Sequence, residues 1–236
     1  MFKWTKESIE WYQRAAFYTQ YHVNLRKTLL PFFSQNETVC DIGCGLGYLD
    51  LELAPFVKAI TAVDREKKVT DLLSAKVSER KLTNLTVRCA DWSVLTDECC
   101  DTLLMCAFGN VHTYLEKYLG ICKKRIIIIR KSPKEIDGGF SSVYNRKRVM
   151  EQDVEFVKQC GLNTQLKFFD MEFGQPLTSR WEAERFVLHY SLKPDHITMS
   201  QYLKTHLKEL PGGKYPYYLP NKKEMYMFTI EKESAR

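Results

Sequence analysis

The stretch Thr38-Val39-Cys40-Asp41-Ile42-Gly43-Cys44-Gly45-Leu46-Gly47-Tyr48-Leu49 decides how this chain is read. A short apolar run carrying one acid meets three glycines at alternate positions, and a helix-like pattern follows at once. A parallel strand, a ligand-sized turn and a helix start look like this in sequence. Glycine lets the backbone turn sharply and leaves room for a ligand to lie against it. Free N–H groups at the start of the helix then favour an anionic or polar ligand group.

The glycine spacing separates two cofactor classes. A dinucleotide fingerprint needs Gly-x-Gly-x-x-Gly, its last glycine admitting close helix packing. Here the order is Gly43-x-Gly45-x-Gly47, with Tyr48 where the third glycine would stand. Asp41 precedes the first glycine by two positions. The pattern Asp-x-Gly-x-Gly-x-Gly resembles the first motif of class I S-adenosylmethionine-dependent methyltransferases. That resemblance implies that Gly43, Cys44, Gly45, Gly47 and Tyr48 pass beneath the amino-acid part of the cofactor, with Asp41 close by.

Further along, strand and helix patterns alternate. Leu46 to Ala54 reads as a helix stopped near Pro55, and Lys58 to Asp64 as a second buried strand. An amphipathic helix carries Val69, Leu72, Leu73 and Val77. Strands follow at Leu85 to Ala90 and Thr102 to Ala107, then a helix over Val111 to Leu119. Arg125 to Arg130 reads as a fifth strand buried on both faces. This alternation predicts a parallel sheet with right-handed crossovers. With strands at Thr164 to Met171 and Met225 to Ile230, it becomes an α/β, doubly wound, mostly parallel seven-stranded sheet with helices on both faces.

Two additions flank that core. The N-terminal section reads as one helix or two, ended at Pro31, with Trp11, Ala15, Tyr18, His22, Leu25, Leu29 and Phe32 recurring every three or four positions as one N-terminal stripe. Roughly fifty residues separate the last two strands, where the resemblance leads one to expect a short hairpin. Ser179-x-x-Glu182 and Thr198-x-x-Gln201 each open a helix there with a capping-box signature. Tyr215 to Pro220 reads as a stiff aromatic link. The chain is accordingly expected to be one methyltransferase domain over 1–236: a helical cap (1–34), a cofactor core (35–170), a helical substrate cap (171–222) and a last strand with tail (223–236). Lys131 to Arg148 reads as a long loop on the ligand side, either a mobile lid or simply floppy.

Acids end three successive strands. Asp64, with Arg65 beside it, is placed to accept hydrogen bonds from both ribose hydroxyls of a nucleoside, as the corresponding acid does in dinucleotide sites. The family resemblance implies that Asp91 takes the adenine amino group and that Trp92 lies against the ring. It also places Ala107 and Phe108 where methyl donor meets acceptor. Phe108 is suited either to a cation–π contact with the sulfonium or to the core. The Asn/Asp-Pro-Pro-Tyr/Phe motif of enzymes that methylate exocyclic base amines is absent at 107–110. His112 and His189 are candidate bases. Asn110, Gln175, Trp181 and Tyr217 are candidate substrate contacts, and Arg130 suits a substrate carboxylate or phosphate.

A net charge of +6 on 236 residues permits an anionic partner without arguing for one. The eight cysteines include no Cys-x-x-Cys, so reduced, mostly buried thiols and no metal are expected. The N-terminus turns polar immediately and no apolar run is long enough to span a bilayer, which points to a cytoplasmic protein. The expected activity is S-adenosylmethionine-dependent methyl transfer to a small molecule, with S-adenosylhomocysteine as product. Nucleic acid is the less expected substrate because basic residues are dispersed among acids. The alternatives are an RNA or protein methyltransferase, a nicotinamide-dependent oxidoreductase and a non-catalytic binding protein.

Overall fold

The computed structural model describes residues 4–132, 140–210 and 212–232. They form two compact units, one of residues 22–169 with 224–236 and one of residues 1–21 with 170–223.

The larger unit is built on a seven-stranded sheet. Its strands are β1 (Thr38–Ile42), β2 (Ala59–Asp64), β3 (Leu85–Cys89), β4 (Cys100–Cys106), β5 (Cys122–Lys131) and β6 (Asn163–Glu172). The smaller unit contributes three short strands, β7 (Gln175–Leu177), β8 (Lys208–Glu209) and β9 (Tyr217–Leu219), before β10 (Lys222–Glu231) completes the main sheet. The order across it is β3-β2-β1-β4-β5-β10-β6. Strands β1 to β5 pair in parallel, and β10 runs antiparallel to β5. Ile126 to Ile129 are all buried, as a strand covered on both faces requires. Helices α3 (Tyr48–Leu53), α4 (Lys67–Glu79), α5 (Val111–Ile121) and α6 (Phe140–Gln159) connect these strands.

The N-terminal stripe resolves into two helices, α1 (Lys6–Tyr18) and α2 (Tyr21–Leu29). Gln20 adopts φ 54°, a left-handed conformation that ends the first helix. Trp11, Ala15, Leu25 and Leu29 are buried, but Tyr18 is exposed and packs on Tyr215 and Tyr218. The expected loop over 131–148 is partly helix instead, because α6 begins at Phe140, inside that span. Its segment 133–139 lies outside the described residues.

In the smaller unit, α7 (Arg180–His189) and α8 (Met199–His206) pack with a three-stranded antiparallel sheet in the order β7-β9-β8. Leu177, Ala183, Val187, Leu203 and Leu219 form its core. The expected aromatic link contains β9, paired on both sides. All eight cysteines are free, with Cys40, Cys100 and Cys122 buried and Cys89, Cys99 and Cys160 exposed, so fewer are buried than expected. Among the described residues, no helix is long and apolar enough to cross a membrane.

Candidate active site

The glycine turn sits between the end of β1 and the start of α3. Gly43, Gly45 and Gly47 have φ of 75°, 55° and 63°, a region open to glycine and strained for other residues. The N–H groups of Gly43 and Cys44 donate to Val63 O at 2.8 and 3.2 Å, which ties the turn to β2. Gly45 N–H donates to Asp64 Oδ2 at 2.9 Å, and Gly47 N–H to Cys44 O at 3.0 Å. All four are engaged within the protein, so at Gly43, Cys44, Gly45 and Gly47 the turn offers a close-fitting backbone surface and not free N–H groups. A side chain at Gly43 would meet the Phe108 ring at 2.5 Å, so Phe108 lies directly against the turn.

The parallel register brings the strand-end acids to one edge. Ile42 pairs with Val63, and Asp64 with Cys89, two residues before Asp91. Asp64 accepts from Gly45 N–H on one oxygen and from Glu66 N–H on the other, each at 2.9 Å. A carboxylate has further acceptor capacity on each oxygen, so ribose hydroxyls can be added without breaking these bonds. Asp91 caps the short turn at Trp92–Val94, accepting from Ser93 N–H at 2.9 Å. Its hydrogen bonds with Ser93 hold its carboxyl below the usual carboxylate range. Trp92 is half-buried, 5.2 Å from Tyr114 and 5.0 Å from Tyr118, with Lys117 Nζ 5.1 Å over its ring. Arg65 is exposed.

Asp41 is turned inward. It is 2% exposed and faces Asp50 of α3, which is 0% exposed. Burial, reinforced by the Asp50 charge, pushes the Asp41 carboxyl up; burial also pushes Asp50 up. The Cys44 thiol beside them is raised by burial and by the same two carboxyls. Tyr48 is buried, its ring centroid 5.6 Å from that of His22.

The segment after β4 is held by three bonds. Ala107 N–H donates to Ile129 O at 2.8 Å, Asn110 N–H to Tyr118 Oη at 3.2 Å, and Arg130 Nη2 to Gly109 O at 2.9 Å. Ala107 and Gly109 take φ of 56° and 89° within it. Asn110 caps α5, its Oδ1 accepting from Thr113 N–H at 3.1 Å. Arg130 also meets Asp153 Oδ2 at 2.6 Å, so its guanidinium already has internal partners. His112 Nε2 lies 3.4 Å from Asp153 Oδ1, and its ring stacks on Phe156.

The remaining candidates belong to the smaller unit. Gln175 is buried in β7 and donates to Pro176 O at 3.1 Å; Tyr217 is half-buried in β9. Trp181 is exposed on α7 with Arg185 stacked over it at 4.5 Å. His189 sits edge-on to Trp11 and Tyr190. The Ser179 signature forms by half: Ser179 Oγ accepts from Glu182 N–H at 3.0 Å, but the Glu182 carboxylate turns elsewhere. It accepts from Trp11 Nε1 at 3.2 Å, Arg14 Nη1 at 2.7 Å, and Thr178 N–H and hydroxyl at 2.7 Å each.

Burial opposes the Glu182 charge, but the Thr178, Arg14 and Trp11 donors outweigh it and hold the carboxyl below its usual range. A lowered folded value means stability that is present above the ordinary glutamate range of about 4.3 and lost as pH falls through the folded value. Glu182→Gln is therefore expected to cost about 1–2 kcal/mol at neutral pH and to flatten the acid side of the stability profile. Urea titrations between pH 3 and 7 check this, and an unchanged acid limb would count against it.

The cradle fits S-adenosylmethionine in three respects: a glycine surface that a Cβ would obstruct, a strand-end carboxylate with spare acceptor capacity, and buried carboxyls suited to a cationic ligand. Sequence reasoning missed Asp50 and Asp153. Both lie within helices, where a lone acid carries no motif.

A family model described as TRM5/TYW2 methyltransferase domain matches residues 12–136, from α1 past the end of β5. A curated relative, the probable ribosomal RNA small subunit methyltransferase A of Methanosphaera stadtmanae, is 35% identical over 52 residues. That alignment spans 22% of this chain and 19% of the relative. Among solved structures, the YcgJ protein of Bacillus subtilis aligns with TM-score 0.57 and 15% identity, covering 91% of this chain and 99% of that one. TYW2 of P. horikoshii, solved with MeSAdo, aligns with TM-score 0.51 and 14% identity, covering 90% of this chain and 61% of that one. At these identities the structural matches carry the fold alone. The family match and the ribosomal RNA relative overturn the expected small-molecule acceptor and the view that nucleic acid is an improbable partner. Dispersed basic residues misled that expectation, because linear dispersion does not tell which charges share a face.

Proposed function

Since the chain belongs to the TRM5/TYW2 methyltransferase-domain family and is an S-adenosylmethionine-dependent methyltransferase, we propose that its methyl acceptor is RNA. The observation that carries this reading is the family match itself, which takes in the glycine turn, all three strand-end acids and the segment after β4. A net charge of +6 is compatible with a polyanionic substrate.

In this reading Asp64 holds the ribose, Asp91 and Trp92 border the adenine, and the glycine turn supports the amino-acid part. S-adenosylmethionine supplies an already activated methyl group on a sulfonium. The protein's task is chiefly alignment, which can account for most of the acceleration of an in-line displacement. Arg130 and Tyr118 fix the segment 107–110, so that Phe108 keeps its place against Gly43. Where the acceptor must lose a proton, His112 is the proposed base, because Asp153 faces its Nε2.

Incubation with methyl-labelled S-adenosylmethionine and total cellular RNA tests the proposal. Label is expected in RNA and lost on ribonuclease treatment, and RNA affinity should fall linearly with log salt. Label confined to a small-metabolite fraction would overturn it.

A further inference from the structure

Aromatic residues are unevenly shared between the two units. Half of the chain's Trp, Tyr and Phe residues fall in the smaller unit, which holds well under half of its length. The five buried residues of that unit's core include none of them. Three tyrosines gather instead beside two cations. Tyr18, the last residue of α1, is 47% exposed. Its ring centroid lies 5.3 Å from that of Tyr218, tilted by 35°, and 6.3 Å from that of Tyr215. Arg14, one helical turn before Tyr18, places its Cζ 5.2 Å from the Tyr215 centroid. Lys214 is exposed, and its Nζ stands 5.5 Å from the same centroid.

This platform is fixed from behind. Tyr218 Oη donates to Glu172 Oε1 at 2.6 Å, and Asn221 N–H donates to the same oxygen at 2.9 Å. The phenol end of Tyr218 also fills the space that a Cβ at Gly174 would need. Strand β9 carries Tyr218 and pairs with both β7 and β8. Rings held in this way lose little freedom when a flat ligand stacks on them. The acids that touch the cluster already hold donors: Glu172 has Tyr218 and Asn221, and Glu182 has Arg14. Just before Lys214, nothing lies within 4 Å of where a Cβ would stand at Gly212 or Gly213, so a bulky chain can come close to the backbone there.

We propose that Tyr18, Tyr215 and Tyr218, with Arg14 and Lys214, form a stacking surface for an unpaired stretch of RNA. This rests on the RNA reading above and adds to it a surface that grips the substrate. An aromatic face stacks on any base, so such a surface asks for a strand whose bases are not already paired. Arg14 and Lys214 supply the positive charge that a phosphate backbone answers, and a neutral or cationic partner would leave that charge unused. A duplex keeps its base faces inside its own stack and can meet only the cations. The surface binds and orients; it takes no part in the chemistry of methyl transfer.

Fluorescence anisotropy of the full chain with a labelled oligouridylate of about 12 nucleotides, set against a duplex RNA of the same length, tests the proposal. The single strand is expected to bind more tightly. Tyr18→Ala should weaken its binding by about fivefold to a hundredfold, the loss of one stacked base. Tyr18→Leu keeps apolar bulk against Tyr218 and should lose as much, whereas Tyr18→Phe should stay within about twofold of wild type. Lys214→Ala should make the slope of log affinity against log salt shallower by about 0.7, and Tyr18→Ala should leave that slope alone. Equal affinity for duplex and single strand would overturn the surface. So would wild-type affinity in both Tyr18→Leu and Lys214→Ala. The labelling of total cellular RNA described above separates the two readings. Label in RNA with unresponsive Tyr18 variants sinks the stacking surface alone, and label confined to small metabolites sinks the RNA acceptor and the surface with it.

Discussion

Asp64→Ala is expected to weaken S-adenosylmethionine binding by at least about tenfold, corresponding to roughly 1.4 kcal/mol of lost hydrogen bonding. Two effects act together. The ribose hydroxyls lose their acceptor, and the N–H groups of Gly45 and Glu66 lose theirs at the same time. Gly45 belongs to the turn, so its freed backbone loosens the surface on which the amino-acid part rests. Asp64→Asn separates the two effects, because one amide oxygen can serve one N–H while its NH2 group can only donate. An intermediate loss is therefore expected for it. Isothermal titration calorimetry, with circular dichroism to confirm the fold, makes the comparison. Unchanged affinity in a folded Asp64→Ala protein would mean that the ribose lies elsewhere.

The main sheet was legible because strands buried on both faces leave unbroken apolar runs, and Ile126 to Ile129 is such a run. The glycine turn was legible because its three positive φ values exclude most other residues. What escaped was set by contacts distant in sequence. Strands of two or three residues, such as β8 and β9, are too short for alternation to register, and Pro216 and Pro220 flank β9 with turn signals. The break at Gln20 left no glycine or proline as a marker. Glu182 has the spacing of a capping-box acid, yet Arg14 and Trp11, more than 160 residues away in sequence, draw its carboxylate off. Asn110 was readable as polar at the right edge, but its side-chain oxygen caps α5.

Gly47→Ala should be among the most destabilising single methyl additions in the chain. Two costs coincide there. The φ of 63° disfavours any Cβ by about 1–2 kcal/mol. The added carbon would also stand 2.3 Å from Leu73 Cδ2, a side chain that is 0% exposed in the core and has no room to retreat. Overpacking of that kind costs about 1–3 kcal/mol more. A total of about 3 kcal/mol corresponds to a fall in melting temperature of about 6–12 °C for a chain of this size. Gly161→Ala supplies the control. Its φ of 76° is equally unfavourable, but nothing lies within 4 Å of the position its Cβ would take. Only the conformational cost remains there, so its melting temperature should fall by about 2–8 °C, and by less than that of Gly47→Ala. Thermal denaturation of both variants side by side decides the matter. Equal shifts would show that the turn does not press on α4, and that the glycine is required for its backbone angle alone.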